Sequence, residues 1–538
     1  EAPCDAPGAG SCLPAFCAAC EHGTCAPFAC SCSADDEADC ACRPSRCVCD
    51  AGWGGDGCDE PAAAPNDASA LGVNLSPVSP ASDEWQFTDL MLRARGWFAQ
   101  RSGVYGAWDE PWADADLQAA VFGGGDARRP PAGALPHDTA AAVWVIEGGD
   151  GGAWAAAYDA FVVTWEGTGA LEVRVGEVLG SGRGTHRMRV RPSWTPDAAG
   201  RTGLLLRIIR TDGADPVTNV RVVPEGADAD GIAQFSRAAD ERTAFHPRFV
   251  ESLAPYGVLR FRHWAGLDAD DVVPSGDALT VTQAARGVAT LPAEDAAQGG
   301  AYGVAPEHIV RLGVAAGADV WVTVPHNADS GLLELLAARF AAAVVAESAS
   351  PSAPALRVWV ESGDAAWDAA SPTHRWAVKA RRQQLGDPDA DAGLASSLWH
   401  GDRSRDVWVA FELAFLDAGL PGVGSPDSPL VRVLGAATDD VEWTVRAATA
   451  ADVAVECDVI AVDTTFCRSR GLPSRLQGSL AMSAAEVAQA CTAELGSVPG
   501  RLRPFVELAR ASDLRLASYS TGAALAEADA VRRGAGAG

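Results

Sequence analysis

The chain has 538 residues, a net charge of −29 and 48% hydrophobic residues. This length exceeds one ordinary domain and predicts about two to four domains with large packed cores. The acidity argues against nucleic acid or an anionic membrane surface as a partner, because like charges repel each other. No segment reaches the ~20 apolar residues of a membrane-spanning helix, so we expect no membrane span.

Cysteines are concentrated at one end of the chain, with twelve of the 15 in the first 58 residues. An even, dense set in so short a segment indicates a disulfide framework, and zinc is disfavoured because C-x-x-C occurs only once. Disulfides persist outside the cytosol, so we expect a secreted protein of the cell surface or matrix. We also expect no cofactor. The predicted disulfide cysteines are Cys4, Cys12, Cys17, Cys20, Cys25, Cys30, Cys32, Cys40, Cys42, Cys47, Cys49 and Cys58.

The last of these cysteines follow the order Cys47-Val48-Cys49, Gly52-Trp53 and Cys58. This spacing resembles the closing part of an EGF-like module. The resemblance predicts an EGF-like, disulfide-rich region at 1–60 and leaves its cysteine pairing open. A Pro- and Ala-rich linker follows at 61–70.

Residues 71–129 begin with a short strand and continue with a helix-like segment around residues 83–100. Residues 130–228 then carry short β-rich runs separated by Gly, Asp and Pro clusters, which is typical of an antiparallel β-sandwich. The runs are Ala142–Glu147, Phe161–Glu166, Leu171–Val178, His186–Pro192, Leu204–Thr211 and Val217–Val223.

Strand and helix patterns alternate over residues 229–538, which predicts parallel strands joined by crossover helices. The strand candidates, including the one near the start, are Leu71–Ser76, Gly257–Trp264, Ala318–Pro325, Leu356–Glu361, Leu430–Ala437, Asp458–Phe466 and Leu514–Tyr519. The helix candidates are Pro306–Ala316, Gly331–Glu347, Thr373–Gln384, Arg403–Ala418, Ser483–Leu495 and Leu502–Ala511.

The fold class that follows is multidomain, with a (β/α)8-type barrel interrupted by the inserted sandwich. A complete barrel needs eight strands, and only seven candidates are found. We therefore expect that the barrel is incomplete, that another segment or another chain closes it, or that this chain is a fragment.

Several motifs lie at or near the ends of these strands and span about residues 69–525. They are Gly72-Val73-Asn74-Leu75, Leu259-Arg260-Phe261 with Trp264, Gly303 with Glu307, Trp321 with Pro325-His326, Val358-Trp359-Val360-Glu361 with Trp367, and Tyr519 with Gly522. This ordered set resembles secreted proteins related to clan-A glycoside hydrolases, a family described as cellulose-binding or glycosidase-like.

The resemblance implies one catalytic glutamate at the end of the fourth strand and another at the end of the seventh, ~5–5.5 Å apart. This chain has Ala365 and Ser520 at those places. Tyr519 should end the seventh strand and Ser520 should open the loop after it. Glu361 and Asp364 are the fallback carboxylates, although Asp364 is expected to point away from the cleft. A Ser/His/Asp site is less favoured, because nothing around Ser520 forms a nucleophile elbow.

The residues that the resemblance assigns to ligand binding are Arg260, His263, Trp264, His326, Trp367 and Tyr519. Structural alternatives stay open for several of them. Arg260 could pair with Glu361, and the two tryptophans could pack in the core.

The sequence leaves three alternative functions. The first is a catalytically inactive, glycosidase-like extracellular protein that serves as a structural or assembly component of a filament, wall or matrix. It would associate with itself or with other extracellular chains, because exposed strand edges favour pairing. The second is a glycan-binding module that keeps its cleft, with polysaccharide as partner. The third is an active hydrolase that uses a rearranged carboxylate pair.

Overall fold

The computed structural model describes residues 69–101, 121–225, 245–266, 285–466 and 484–523, apart from short gaps inside these ranges, and short strands between 23 and 61. Those N-terminal strands pair antiparallel: Gly23–Cys25 with Cys47–Cys49, Cys30–Ser33 with Asp36–Cys42, and Trp53–Gly54 with Glu60–Pro61. The cysteine side chains there lie outside the described residues. The EGF-like module and its disulfides therefore stay predictions.

A curled, seven-stranded parallel sheet forms a half-barrel, and each predicted strand of the alternating pattern is confirmed. Its strands lie side by side in the order of the sequence, because each connection crosses over the same face. Strands 1 to 7 of the parallel sheet are Gly72–Asn74, Val258–Arg260, Asp319–Val324, Val358–Ser362, Leu430–Gly435, Val459–Phe466 and Arg515–Ala523.

The two faces of this sheet have different neighbours. Outward-pointing residues such as Val320, Val358 and Ile460 pack against the helices in the largest hydrophobic core. Alternate residues such as Trp359 and Val433 form a second, inner cluster. Period-two alternation therefore places polar residues of strands 2 to 4 inside the curl.

Helices cover the outer face and largely match the predicted ones. They are Pro247–Leu253, Pro306–Ala316, Ser330–Ser348, Pro372–Leu385, Ala392–Asp417, Val441–Thr449 and Ala484–Ala511. The predicted helix at Arg403 begins eleven residues earlier, at Ala392, because the Asp391 carboxylate caps its first turn by accepting from Leu394 N at 2.8 Å. The two helices predicted near the end form one helix, which contains Pro499 and Pro504.

The helix expected around residues 83–100 is wrong. The structure has a 3-10 helix at Leu90–Arg93, then Gly96 with a φ of 135°, then a strand at Phe98–Arg101. A φ in this range ends a helix and suits glycine. The strand pairs with Thr139–Glu147, so tertiary pairing outweighs the local helical pattern.

In the sequence, the segment between strands 1 and 2 of the parallel sheet forms two four-stranded antiparallel sheets. One contains Phe161–Glu166, Glu177–Ser181, Arg187–Arg191 and Thr218–Pro224; the other contains Phe98–Arg101, Thr139–Glu147, Gly169–Val175 and Gly203–Thr211. Residues from both sheets share one hydrophobic core, as expected for packed sheets with one apolar face each. No helix in the described ranges is long and apolar enough to cross a bilayer.

Candidate functional site

Glu361 lies inside strand 4 and points into the curl of the sheet, where its side chain is 1% exposed. Its Oε2 accepts hydrogen bonds from Arg260 Nη2 at 2.9 Å and from Trp321 Nε1 at 3.0 Å. Burial raises the pKa of Glu361 above its ordinary value, against the opposing charge of Arg260.

Asp364 follows strand 4 in a turn and points toward Glu361, contrary to the prediction that it points away. Its Oδ1 accepts from Arg260 Nη2 at 3.3 Å, and its Oδ2 accepts from Arg262 Nε at 2.6 Å. Burial by itself would raise the pKa of Asp364, but the charges of Arg260 and Arg262 outweigh it. The pKa of Asp364 is therefore lowered.

The two carboxylates share a single guanidinium nitrogen. Glu361 Oε2 and Asp364 Oδ1 lie 2.9 and 3.3 Å from Arg260 Nη2, so these two oxygens are no more than about 6 Å apart, a bound that includes the ~5–5.5 Å of a retaining hydrolase. Two arginines and two carboxylates also make the cluster neutral overall. We call Arg260, Arg262, Glu361 and Asp364 the strand-4 network.

Aromatic rings fill the interior beneath this network. The Arg260 guanidinium lies 5.3 Å from the Trp321 ring centroid, Trp321 stacks on Trp359 at 5.6 Å, and the Arg515 guanidinium covers Trp359 at 5.4 Å. Trp359 Nε1 donates to Asp319 Oδ2 at 3.0 Å. Sequence reasoning did not assign Arg262, Trp321, Trp359 or Arg515 to the site. Every second residue of strands 2 to 4 points into the curl, and this alternation could have indicated the two tryptophans.

Ala365 lies in the turn directly after strand 4, with a φ of 51° that follows a φ of 63° at Gly363. Its carbonyl accepts from Asp368 N at 3.0 Å, which closes the turn. The position that the resemblance assigns to an acid/base glutamate therefore holds a methyl group in a left-handed backbone conformation.

Trp367 lies beside the strand-4 network and packs edge-on against Trp443, at 5.7 Å between ring centroids. Strand 5 leaves room for this arrangement at Gly435. A Cβ there would lie 3.0 Å from Glu361 Oε1 and 3.3 Å from the Trp367 ring. Trp367 is thus one of the predicted binding residues that the fold brings to Glu361.

Trp264 lies in the core instead. It is 1% exposed, its Nε1 donates to the Ser76 carbonyl at 2.9 Å, and its ring meets Phe261 edge-on at 5.1 Å. This geometry matches the packing alternative for Trp264 and leaves no face open for stacking on a sugar.

The two candidate histidines have different surroundings. His263 follows strand 2 beside Arg262, whose Nη1 lies 3.3 Å from His263 Nδ1. His326 is buried between strand 3 and the helix Pro372–Leu385, and its Nδ1 lies 3.2 Å from Thr373 Oγ1. Burial, together with nearby arginines, lowers the pKa of His326 to about 3, so this ring is neutral at neutral pH.

Strand 7 does not end at Tyr519, as the sequence predicted, but continues to Ala523. Strand 6 is long enough to pair with it throughout, and Ser520 lies opposite Asp463. The register shifts at Tyr519. Ser518 pairs with Val462, and Ser520 pairs with Asp463, so Tyr519 has no partner position on strand 6. The side chains of Tyr519 and Ser520 lie outside the described residues, so their assignments stay predictions.

Among residues whose side chains are described, no three His, Cys, Asp or Glu come close enough to form a metal site. Comparisons with protein-family models, with curated proteins and with solved structures found no match to this chain.

Proposed function

We propose that the chain is a glycosidase-like extracellular protein without hydrolytic activity, which serves as a structural or assembly component. The observation that carries the proposal is the strand-4 network. Glu361 and Asp364 are both held by arginines, and the neighbouring position is Ala365. A retaining hydrolase needs one carboxylate free to attack and another free to deliver a proton.

Hydrogen bonding restricts both carboxylates. Glu361 Oε2 accepts from Arg260, Trp321 and Thr323, and the residue is almost completely withdrawn from solvent. Asp364 is bonded at both oxygens by guanidinium groups, which stabilise its charged form. Such a cluster supports the shape of the sheet and offers a substrate little unpaired charge.

The test is hydrolysis of 4-nitrophenyl glycosides by the purified chain, with Glu361→Gln as the matched variant. We expect no release of nitrophenol above the rate without protein, for either form. Turnover by the wild-type chain that Glu361→Gln abolishes would contradict the proposal.

That contrary result would instead establish an active hydrolase that uses Glu361 and Asp364. One observation favours this second candidate. The two carboxylates accept from the same Arg260 nitrogen, and their environments shift their pKa values in opposite directions. Glu361, with the raised pKa, would then be the acid, and Asp364 would be the nucleophile.

Support for assembly comes from surfaces that the described residues leave uncovered. Strands Gly72–Asn74 and Arg515–Ala523 are the two ends of the parallel sheet, and each pairs on one side only among the strands that the structure describes. On the helix Ala392–Asp417, the exposed side chains Val409, Leu413 and Leu416 share one face, with Leu413 57% exposed. Free strand edges and apolar helix faces both favour contact with another copy.

Sedimentation velocity over a wide range of concentration tests the assembly. We expect the wild-type chain to form larger species as concentration rises, and Leu413→Glu to shift that transition to higher concentration. Gln383→Glu, at an exposed position of the neighbouring helix Pro372–Leu385, is a control for added negative charge. A wild-type chain that stays monomeric at its highest concentration would remove the support for assembly.

A further inference from the structure

A cavity of about 480 Å³ lies between the antiparallel sheets and the helix Pro306–Ala316. Its walls come from the segment around the 3-10 helix Leu90–Arg93, from strand Thr218–Pro224, from residues 294–297 and from that helix. The volume falls within the range of about 300–1,000 Å³ that is typical of small-molecule sites. The cavity is remote in sequence from the strand-4 network and shares no residue with it.

The floor of the cavity is buried and partly apolar, and its rim is open. Met91, Trp97 and Val220 are buried in the core of the antiparallel sheets, whereas Asn219 and Asp295 at the rim are exposed. A ligand would therefore enter past polar residues and place an apolar surface on the floor.

Asp89 supplies a hydrogen-bond acceptor in the wall. Its Oδ1 accepts from the backbone N–H groups of Met91 and Val222, both at 3.0 Å, which fixes the carboxylate in place. Its Oδ2 has no hydrogen bond to any described residue. The carboxylate is thus oriented by one oxygen and open at the other.

Two further polar atoms in the wall are buried without a partner in the described part of the chain. The His308 ring is 3% exposed, and its Nε2 donates to the Glu294 carbonyl at 2.9 Å, which leaves Nδ1 as an unused acceptor. The Thr88 hydroxyl is the second such atom. Both atoms have almost no accessible surface, so they lie behind the cavity wall and are not contacts for a ligand.

The charges around the cavity are balanced. Glu294 is bonded by Arg311, and Asp295 is paired with Arg129 at 2.5 Å. Arg221 donates through Nε to Asn219 Oδ1 at 2.9 Å, and its Nη atoms make no hydrogen bond to a described residue. A charged ligand would meet opposing groups, whereas a neutral ligand with several hydroxyls could use both the acceptors and the donors.

We propose that this cavity binds a neutral saccharide of one or two rings. The free oxygen of Asp89 accepts from one of its hydroxyl groups, and the Arg221 guanidinium donates to another. The C–H face of the ring lies on the apolar floor at Met91 and Val220. This site is separate from the strand-4 network, so it does not depend on whether the chain hydrolyses glycosides.

Isothermal titration calorimetry of the full chain with cellobiose, maltose, lactose and N,N′-diacetylchitobiose tests the proposal. We expect saturable binding of at least one of these neutral disaccharides. Asp89→Asn and Arg221→Gln should each weaken it about tenfold, because each removes one hydrogen bond to the ligand. Arg189→Gln is the control, since Arg189 pairs with Glu225 on the surface and lies outside the cavity lining, and it should bind as the wild-type chain does.

Three results would overturn the proposal. The first is the absence of saturable binding for all four disaccharides. The second is binding that both cavity variants leave unchanged. The third is binding that Glu361→Gln abolishes, which would place the sugar at the parallel strands instead. Arg221 is half-buried at the cavity wall, so Arg221→Gln tests the cavity independently of Asp89→Asn.

Discussion

The strand-4 network and the cavity beside the antiparallel sheets both contain carboxylates and arginines, but the hydrogen bonds of these groups differ. In the network, Arg260 and Arg262 supply donors to both Glu361 and Asp364. In the cavity, Asp89 keeps an oxygen without a hydrogen bond among the described residues. The difference suggests that the arginine-rich cluster at the expected catalytic place maintains the fold, while the open polar atoms elsewhere bind a ligand.

The pKa values of two aspartates express the same contrast. Arginine charges lower the pKa of Asp364 despite its burial, whereas burial raises the pKa of Asp89 from 3.8 to about 6. Pairing outweighs desolvation at Asp364, and desolvation outweighs pairing at Asp89.

The largest expected effect is at the centre of the network. Arg260→Ala should lower the free energy of unfolding by about 3–5 kcal/mol, because it leaves Glu361 buried without a cation. Urea unfolding followed by tryptophan fluorescence measures the loss.

Arg189→Ala is the matched control for this variant. Arg189 pairs with Glu225 on the surface, where the two side chains are 50% and 37% exposed, so its loss should cost less than about 1 kcal/mol. Equal losses in the two variants would show that the strand-4 network contributes no more than a surface ion pair.

Asp89→Asn should raise the free energy of unfolding by about 1–2 kcal/mol at pH 7.5. The folded state holds the Asp89 proton more tightly than the unfolded state does, so wild-type stability falls as pH rises from about 4 to about 6. The variant avoids that loss, and its advantage should vanish at pH 3.5.

Thermal unfolding across this pH range measures the gain in stability of Asp89→Asn. Asp364→Asn should instead lose stability. The lowered pKa of Asp364 means that its charge stabilises the fold above its ordinary pKa, so removing that charge should destabilise the chain at pH 7.5. If both variants shift stability in the same direction, the contrast between the two regions is wrong.

The smallest effect is expected in the turn beside the network. Ala365→Gly should stabilise the chain by about 0.5–1 kcal/mol, because the left-handed φ of 51° is strained for alanine and free for glycine. Ala369→Gly is the control, since Ala369 is exposed and has no positive φ, and it should destabilise the chain by a similar amount. Calorimetric unfolding of both variants separates the two cases.

The amino-acid sequence by itself determined the seven strands of the parallel sheet, their order and most of the helices that cover them. These features depend on local patterns: apolar runs such as Val358–Ser362, and helical segments such as Pro306–Ala316 that end at glycine. It also offered the pairing of Arg260 with Glu361 as an alternative to ligand binding, and the structure has that pair across strand 3.

Tertiary structure alone decided the contacts that join distant segments. The curl of the sheet brings Arg515 of strand 7 onto Trp359 of strand 4, and the turn after strand 4 directs Asp364 back toward Arg260. The cavity likewise requires Asp89, Arg221 and His308 to meet from three separate segments. Local periodicity specifies which face a side chain takes, but register, curl and packing between sheets specify what it meets there.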